Sequence, residues 1–466
     1  MKLSRFKTPN TYFIIFSLII LVAILTWIIP GSEYSRVEIN GKQVVDPQTF
    51  SYVESDPQGI GAILMAPIKG FVEASMIIGF VLIVGGAFGI FQKTKAIDAA
   101  IKGLAKAEKS SRVVEVLTIP LFMIVFSLGG AIFGMSEEVI PFVLIFVPLA
   151  LTLGYDSITG VAIPFIGAGA GFAGAFLNPF TVGIAQGIAD VPLFSGLQYR
   201  LIAWLITTTL AIAFVMWYAA RVKRNPRRSV MFEKDDKKRA NLDVDAIDNF
   251  GGVSRRHKGV LWTFAVGMGV LIFGVLRYHW YIEEIAAVFL ATGIAVGIVG
   301  RLNISEITDS FLDGAKALVG TALIIALARG ILVVAQDGHI IDTMLHSMSA
   351  VVADFHPVVS SQMMFIVQTF LNFFVPSGSG QAALTMPIMA PLADLVGVSR
   401  QTAVLAFQFG DGFSNLIIPT SAVTMGVLTL AEIPWEKWAR WILPLEILFL
   451  IAGLLLLVPP NLLGWM

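Results

Sequence analysis

Three carboxylates lie in stretches of this sequence that are otherwise apolar enough to be buried in a membrane. Glu137 and Glu138 end the segment GMSEE at residues 134–138, and Asp411 lies in FGDGFSNLIIPTS at residues 409–421. A carboxylate in a low-dielectric environment is costly unless it binds a cation, takes up a proton or meets a positive group. These side chains therefore indicate the binding of an ion or of a small charged molecule.

Polar interruptions break two long apolar segments of the chain. GMSEE interrupts residues 113–154, and SGSGQ at residues 377–381 interrupts residues 358–395. Glycine allows the backbone to turn inside the bilayer, and hydroxyl, amide and exposed carbonyl groups can coordinate a cation or contact an anionic group. The alternative is that Ser and Gly only let helices pack closely. SGSGQ is too polar for packing alone, so both interruptions are predicted to form binding sites.

Two further segments combine a proline with amide and hydroxyl side chains where a membrane helix is expected. The first, residues 158–188, contains Asn178 and Pro179, and the second is residues 401–430. Proline removes a backbone donor and disfavours helix in the residue before it. The resulting half-helix ends expose N–H groups suited to a carboxylate and C=O groups suited to a cation. The alternative for each segment is a kinked helix that binds nothing.

All candidate substrate- and ion-binding residues lie at these four interruptions. They are Ser136, Glu137, Glu138, Asn178, Thr181, Ser377, Ser379, Gln381, Asp411, Ser414, Asn415, Thr420 and Ser421. A coupling Na⁺ ion is expected near Ser136, Asn178, Ser379, Asp411 and Asn415. No catalytic residue and no other cofactor is predicted, because the sequence has no nucleophile–base pair and no zinc or haem motif.

Two other charged residues fall within apolar runs. Arg329 is interpreted as a structural counter-charge for the carboxylates. Glu446, in the last apolar run, is interpreted as a buried, hydrogen-bonded residue or one that reaches the membrane interface. Replacing the Glu446 carboxylate is expected to have little effect on function.

The elements that must position these residues are membrane helices. The chain has 466 residues, of which 56% are hydrophobic and 14% charged, and its mean hydropathy is +0.81. Runs of about 20 apolar residues, enough to cross a hydrocarbon core of about 30 Å, recur along it. Lipid cannot hydrogen-bond to backbone, so the predicted fold class is an all-α polytopic membrane protein. The formal net charge of zero gives no sign of nucleic-acid binding, and the absence of cysteine excludes disulfides.

Basic residues orient the spans across the membrane. Lys2, Arg5 and Lys7 precede the first span, and residues 221–228 are strongly basic, so both segments are predicted to be cytoplasmic. Residues 113–154 lie between the basic loops. Whether they form a re-entrant hairpin or two separate crossings, residues 221–228 remain on the cytoplasmic side. The polar tip favours the hairpin. The C-terminus is then predicted on the periplasmic side.

The two halves of the chain resemble each other. Pro148 corresponds to Pro391 and Gly154 to Gly397, each at a shift of 243 residues (391 minus 148, and 397 minus 154). An additional helix between the halves turns the second copy over, so the predicted repeats have inverted topology. Interrupted segments at corresponding positions of inverted repeats are typical of secondary-transporter binding sites.

The predicted organisation has four parts. Residues 1–220 form the first repeat (hairpin about 113–154, broken helix about 158–188), 221–258 a cytoplasmic linker, 259–283 a connecting helix, and 284–466 the second repeat (hairpin about 358–395, broken helix about 401–430).

Several motifs closely resemble the YfcC-like branch of the anaerobic C4-dicarboxylate carrier family, a bacterial inner-membrane group within the ion transporter superfamily. They are SLGGAIFGMSEE, LNPFTVGIAQGIA, NFFVPSGSGQAALTMPIMAPLADLVGVSRQ and AVLAFQFGDGFSNLIIPTSA. The resemblance covers nearly the whole chain. It implies a homodimer in which a transport domain, holding both hairpins and both broken helices, moves as an elevator against a scaffold domain. Members are described either as dicarboxylate carriers or as basic amino acid antiporters.

Together these features predict a secondary active transporter of a small carboxylate-bearing metabolite, such as a C4-dicarboxylate, coupled to Na⁺ or H⁺. The alternative is exchange of basic or other amino acids on the same fold, because the three acids could meet an amino group and would repel a second carboxylate. A channel and an integral membrane enzyme are remote alternatives. The sequence lacks a Gly-Lys-Ser/Thr loop for ATP, which argues against a pump driven by hydrolysis.

Overall fold

The computed structural model describes residues 11–39, 42–240, 252–278, 280–352 and 355–465. This part of the chain is mostly helical, as predicted. The helices are α1 (Thr11–Leu25), α2 (Ile60–Glu73), α3 (Ser75–Lys93), α4 (Ala96–Ser110), α5 (Arg112–Phe133), α6 (Val143–Thr152), α7 (Ser157–Ala173), α8 (Ile184–Ile188), α9 (Leu197–Arg224), α10 (Phe232–Ala240), α11 (Arg255–Tyr278), α12 (Ile282–Val299), α13 (Ile304–Ala317), α14 (Val319–Asp337), α15 (Ile340–Val352), α16 (Pro357–Phe374), α17 (Gly378–Leu395), α18 (Arg400–Ser414), α19 (Ala422–Leu430), α20 (Trp435–Leu456) and α21 (Val458–Leu463).

Among the described residues, seven helical stretches are long and apolar enough to cross a membrane. They are α3, α5, α9, α11 up to Val275, α12, α14 and the run from α20 into α21. The chain is therefore a multi-pass membrane protein. Lys2, Arg5 and Lys7, on which the predicted position of the N-terminus depends, lie outside the described residues.

The segment from α5 to α6, hairpin 1, has both of its ends on one face of the molecule. The Lys223 Nζ, in the last turn of α9, lies 3.0 Å from the Glu115 Oε1 in the first turn of α5. The same Nζ lies 3.4 Å from the hydroxyl of Tyr155, just after α6. We call this side, which also carries α10, the linker face.

The segment from α16 to α17, hairpin 2, has both of its ends on the opposite face. A Cβ placed on Gly397, just after α17, would lie 3.3 Å from the Pro357 Cγ at the start of α16. Gln401, one turn later, donates to the Ser195 hydroxyl at 2.7 Å, next to the start of α9. Because α9 has 28 residues and is about 42 Å long, its start and its basic end lie on different faces of the molecule.

Two helices are interrupted in the middle of the molecule. After α7 the chain leaves the helix at residues 174–178 and makes one π-helical turn, Pro179–Gly183, before α8; we call this region break 1. Break 2 is residues 415–421, between α18 and α19. α7 runs inward from the linker face and α18 from the opposite face, so the two breaks meet near the centre. From Gln401 to Ser414 every residue of α18 is buried.

Helices from the two halves of the chain pack on each other in a crossed arrangement. α2 packs against α14, where a Cβ on Gly70 would lie 2.5 Å from the Gly330 backbone nitrogen. α13 packs in the same way against α3, where a Cβ on Gly89 would lie 2.9 Å from the Gly314 Cα. Only glycine permits such close backbone approach. The starts of α2 and α13 are 244 residues apart (304 minus 60), as are those of α3 and α14 (319 minus 75).

The described residues also contain four short strands, which the predicted all-helical fold did not include. β1 (Ser32–Glu33) pairs with β4 (Ser51–Tyr52), and β2 (Arg36–Ile39) pairs with β3 (Lys42–Val45), both antiparallel. The strands are held on α15. The Arg36 Nη2 donates to both oxygens of the Asp342 carboxylate at 3.1 Å, and the hydroxyls of Ser32 and Thr343 are 2.7 Å apart.

Part of the predicted linker, residues 221–258, is a helix docked on the protein. Asp235 of α10 is fully buried and accepts hydrogen bonds from the backbone N–H (2.8 Å) and the hydroxyl (2.5 Å) of Ser157 at the start of α7. The Lys238 Nζ donates to the Ala431 carbonyl, at the end of α19, at 2.7 Å. The acidic Asp235 thus lies at the N-terminal end of α7, where the helix dipole is positive. The basic Lys238 lies at the C-terminal end of α19, where the dipole is negative. Both positions are electrostatically favourable. Residues 241–251 lie outside the described part of the chain.

Candidate functional site

One cavity, of about 170 Å³, lies where both hairpin tips and both breaks meet. Tip 1, residues 134–139, and tip 2, residues 376–379, form two sides of it. Break 1 contributes Phe180 and Thr181, and break 2 contributes residues 415–416 and 420–421, with the start of α19 next to them. The remaining wall comes mainly from α7 and α14. We call this space the central cavity.

Tip 1 presents two carboxylates to the central cavity. α5 ends at Phe133, and the next residue, Gly134, has a φ of +72°, in the left-handed region that glycine adopts readily. A Cβ at Gly134 would also lie 2.7 Å from the Asn178 Oδ1, so tip 1 packs tightly against break 1. Beyond the turn, the Glu138 Oε2 accepts a hydrogen bond from the Ser136 backbone N–H at 2.9 Å. Glu137 and Glu138 both line the cavity.

Tip 2 is the start of α17. The Ser377 hydroxyl accepts from the Gly380 N–H at 3.4 Å, so Ser377 caps the helix. A Cβ on Gly378 would lie 2.9 Å from the Asp411 Oδ2 and would clash with the Thr181 side chain. Glycine at this position thus brings tip 2 into contact with α18 and with break 1 together.

Break 1 is stabilised by its own asparagine. The Asn178 Oδ1 accepts from the backbone N–H groups of Phe180 (2.9 Å) and Thr181 (3.3 Å), so this side chain caps the turn that follows Pro179. Asn178 is fully buried and does not line the central cavity. The neighbouring Thr181 does line it, and its hydroxyl has no partner among the described residues.

Break 2 surrounds Asp411 with amide groups. The Asn415 Nδ2 donates to the Asp411 Oδ1 at 3.0 Å and to the Asp411 carbonyl at 2.9 Å. The Asn372 Nδ2, from α16, donates to the same carbonyl at 3.1 Å and to the Ser414 hydroxyl at 2.7 Å. The Asp411 Oδ2 is buried and has no hydrogen-bond partner in the described part of the chain. One carboxylate oxygen is therefore held and the other is available.

Nine of the thirteen predicted site residues line the central cavity. They are Ser136, Glu137, Glu138, Thr181, Ser377, Ser379, Asn415, Thr420 and Ser421. Asn178 and Asp411 lie directly behind this lining, against Gly134 and Gly378 respectively.

Gln381 and Ser414 lie elsewhere. The Gln381 Nε2 donates to the side-chain oxygen (2.7 Å) and the carbonyl (2.8 Å) of Gln368, so Gln381 joins the two arms of hairpin 2. Ser414 lines a separate, mainly apolar cavity together with Glu446. A polar residue at a tip can thus point into its own hairpin, which sequence alone does not reveal.

Buried oxygens gather around the tips and breaks without hydrogen-bond donors. Among the described residues, the atoms concerned include the Asp411 Oδ2, Asn415 Oδ1, Thr181 Oγ1 and Thr420 Oγ1. Carboxylate, amide and hydroxyl oxygens are the ligands that hard cations such as Na⁺ take up. The donor set therefore fits a monovalent cation of the kind predicted near Asp411 and Asn415.

Two polar residues of the described cavity lining had no predicted role in binding. Arg329 of α14 lines the central cavity, and its Nε donates to the Glu73 Oε2 of α2 at 3.0 Å. The guanidinium is thus paired with α2 rather than with the carboxylates of tip 1. Tyr281, just before α12, also lines the cavity and packs on Phe180 with the ring centroids 4.8 Å apart. A long-range pair such as Glu73 and Arg329 leaves no signal in local sequence patterns.

A second cavity, of about 400 Å³, adjoins the first toward the opposite face. Its walls include Ser32 and Arg36 from the strand region and His339 from the turn after α14. It shares Arg329, Leu332 and Ser377 with the central cavity. We call this second cavity the vestibule.

A multi-pass helical fold with polar residues gathered at helix interruptions around one buried cavity is that of a membrane transporter, and comparison with known proteins agrees. The family profile described as "C4-dicarboxylate anaerobic carrier" (DcuC) matches residues 8–459. The chain belongs to this family and is a transporter, not an enzyme.

Two bacterial proteins are similar to this chain over almost their full lengths. One, from Escherichia coli strain K12, is named "Putative basic amino acid antiporter YfcC"; it is 37% identical over 99% of this chain and 98% of its own. The other is an uncharacterised protein of Haemophilus influenzae, 32% identical over 98% of this chain and 97% of its own.

Two solved structures also align with this chain. The YdaH transporter of Alcanivorax borkumensis has a TM-score of 0.46 and 17% identity over 98% of this chain and 99% of its own. MtrF of Neisseria gonorrhoeae has a TM-score of 0.45 and 19% identity over 97% of this chain and 95% of its own.

Proposed function

We propose that the protein is a secondary active transporter of amino acids, that is, of small carboxylate-bearing metabolites that also carry an amino group. Transport proceeds by exchange or is coupled to Na⁺ or H⁺. The observation that carries this proposal is the charge distribution of the central cavity. Among its described lining residues, Glu137 and Glu138 are acidic and Arg329 is the basic one.

This distribution suits a molecule with both signs of charge. A protonated amino group is stabilised electrostatically near Glu137 and Glu138, and a carboxylate is stabilised near Arg329. A C4-dicarboxylate carries two negative charges and would place at least one of them against the acids of tip 1. The name of the Escherichia coli relative points in the same direction.

Transport of a C4-dicarboxylate is the second candidate, favoured by the description of the family. It requires that cations or protons neutralise Glu137, Glu138 and Asp411 before the substrate binds. The oxygens without partners around Asp411 and Thr181 give a Na⁺ ion ligands in the right place. In this case Na⁺ would bind first, and its removal would abolish substrate binding.

The proposed mechanism is elevator-type alternating access between two inverted repeats. Three observations support it: hairpins 1 and 2 have their ends on different faces, α7 and α18 run inward from different faces, and the starts of α2 and α13 are 244 residues apart (304 minus 60). The transport domain comprises α5–α8 and α16–α19, and α14 belongs to the scaffold domain. The central cavity then lies between the two domains.

The proposed location is the bacterial inner membrane, with the linker face in the cytoplasm because it carries the basic end of α9. The Tyr12 hydroxyl of α1 donates to the Gly320 carbonyl at 3.0 Å, which places the start of α1 beside the start of α14. Near the other end of the chain, the Trp465 ring lies 5.7 Å from the Arg200 guanidinium, close to the start of α9. The N-terminus is therefore proposed to be cytoplasmic and the C-terminus periplasmic. A homodimer is the proposed assembly.

Counterflow in proteoliposomes tests the proposed substrate class. Vesicles loaded with unlabelled lysine should accumulate labelled lysine transiently, which a channel does not support. Arginine should compete, whereas succinate and fumarate should not, and Glu137→Gln should weaken competition by the amino acids. Counterflow of labelled succinate together with no counterflow of lysine or arginine, measured in Na⁺ and in choline buffers, would replace the amino acid proposal with the dicarboxylate one.

A further inference from the structure

We infer that Arg329 binds the carboxylate of the transported molecule and that Glu73 orients its guanidinium for this task. The inference rests on the proposed function, because it assigns a residue to one end of the proposed substrate. It gives the protein a specificity-determining residue on α14, outside the four interruptions where polar residues concentrate.

The first argument is the unused half of the guanidinium. The Arg329 Nε donates to the Glu73 Oε2 at 3.0 Å. Within the part of the chain that the structure describes, neither Nη1 nor Nη2 has a hydrogen-bond partner. The side chain of Arg329 is 34% exposed, into the two cavities that it lines. A guanidinium fork with two free NH₂ groups matches a carboxylate in a bidentate geometry.

The second argument is the position of Arg329 between the cavities. Arg329, Leu332 and Ser377 line both the vestibule and the central cavity. A molecule that enters from the opposite face therefore passes Arg329 before it reaches tip 1. Its carboxylate can bind to Arg329 while its amino group extends toward Glu137 and Glu138.

The third argument is that the backbone fixes the pair rigidly. Arg329 directly precedes Gly330, and Glu73 lies three residues after Gly70. These two glycines make the close contact between α2 and α14, where a Cβ on Gly70 would lie 2.5 Å from the Gly330 nitrogen. Glu73 and Arg329 are thus held side by side by packing that does not depend on their charges. A guanidinium held in this way needs little reordering when a carboxylate binds.

The fourth argument is that the other half of the chain lacks the pair. The crossed packing is repeated by α13 on α3, where Gly314 meets Gly89 as Gly70 meets Gly330, so equivalent positions can be compared. Glu73, three residues after Gly70, corresponds to Ala317, and Arg329, which directly precedes Gly330, corresponds to Phe88. α13 and α3 pack without an ion pair at these positions, so the contact itself does not require one. A partly exposed ion pair also contributes little to stability.

The test compares lysine with cadaverine, which is lysine without its carboxylate. Binding of each is measured by competition with labelled lysine in proteoliposome counterflow. We expect Arg329→Gln to weaken the binding of lysine at least tenfold and to change the binding of cadaverine by less than twofold. Arg36→Gln is the matched control, because Arg36 is an ion-paired arginine of the vestibule that does not line the central cavity. In Arg36→Gln, the ratio of the affinity for lysine to the affinity for cadaverine should equal that of the unmodified protein.

A double variant separates carboxylate binding from a merely structural pair. If Arg329 only neutralises Glu73, then Glu73→Gln combined with Arg329→Gln restores lysine affinity, and the inference is wrong. If Arg329 binds the carboxylate, the double variant binds lysine as weakly as Arg329→Gln alone. An unmodified protein that binds succinate and no amino acid contradicts the proposed function instead. In that case Arg329→Gln must weaken the binding of succinate at least tenfold. Unchanged succinate binding by this variant would overturn the inference by itself.

Discussion

Asp411 is a fully buried acid with one carboxylate oxygen held and the other without a partner. Asn415 donates to its Oδ1, while its Oδ2 faces Gly378 at tip 2. A buried carboxylate without compensation costs several kcal/mol, about 1–3 even for a neutral polar group in a protein. We therefore propose Asp411 as a binding point for a cation or a proton, and its contact with tip 2 would connect that binding to the position of hairpin 2.

Asp411→Asn keeps the shape of the side chain and removes its charge. We expect concentrative uptake driven by a Na⁺ or proton gradient to be lost, with expression and assembly unchanged, because the coupling cation has lost its charged ligand. The measurement is accumulation of labelled substrate in proteoliposomes under an imposed gradient. Glu446→Gln is the matched control: Glu446 is also a buried acid but lines the separate apolar cavity, and its replacement should have little effect. Normal accumulation by Asp411→Asn would move the coupling role to Glu137 and Glu138.

Individual residues differ in how far the sequence predicts their surroundings. Ser377 and Thr181 stand beside glycine or proline in apolar runs, and they line the cavity. Gln381 lies two residues after tip 2, in an equally polar stretch, but bonds to Gln368, thirteen residues earlier in its own hairpin. The pairing of Arg329 with Glu73 joins residues 256 positions apart. Local composition indicates where a polar group is needed, whereas the partner of that group depends on tertiary packing.

The interruptions themselves have local causes, which is why sequence indicates them. Pro179 lacks a backbone donor, Asn178 caps the turn that follows it, and Gly134 adopts a positive φ that other residues rarely take. The docking of α10 has no such signature. Its sequence is charged throughout, as in a solvated linker, and only the position of Ser157 at a helix start explains why Asp235 is buried.

The orientation of hairpin 2 relative to α10 can be measured directly, because the chain has no native cysteine. Leu395, 84% exposed at the end of α17, and Glu233, exposed on α10, are suitable sites. We expect single cysteines at these positions to react with a membrane-impermeant maleimide from different sides of the membrane, Glu233→Cys from the cytoplasm. Labelling of both from the same side would contradict the inverted arrangement of the hairpins. Arg228→Cys, close to α10, is the control that should behave like Glu233→Cys.

At the scale of the whole molecule, the proposed movement requires α19 to slide along α14. These helices approach closely at Gly426, where a Cβ would lie 3.1 Å from the Thr321 Cγ2. This spacing is compatible with a disulfide between cysteines at the two positions. The membrane class and the transporter family follow from composition and motifs, but this contact between the two proposed domains does not, because it depends on how the halves of the chain interlock.

Thr321→Cys combined with Gly426→Cys should stop counterflow after oxidation and recover it after reduction, because the disulfide joins the proposed scaffold and transport domains. The measurement is counterflow of labelled lysine, together with a gel assay for the extent of cross-linking. Each single variant, treated with the same oxidant, is the control and should remain active. Full activity with complete cross-linking would show that α14 and α19 do not move relative to each other during transport.

The crossed packing of α2 on α14 and of α13 on α3 has a consequence for biosynthesis. A chain made from its N-terminus inserts α3 before α13 exists, and Ser310, which α13 places against Gly89, follows it by 221 residues (310 minus 89). Until then the glycine faces of α2 and α3 have only lipid or an insertion factor as neighbours. We therefore expect the first half to remain in the bilayer as an unfinished intermediate. A chain truncated before α13 should bury neither face against its native partner.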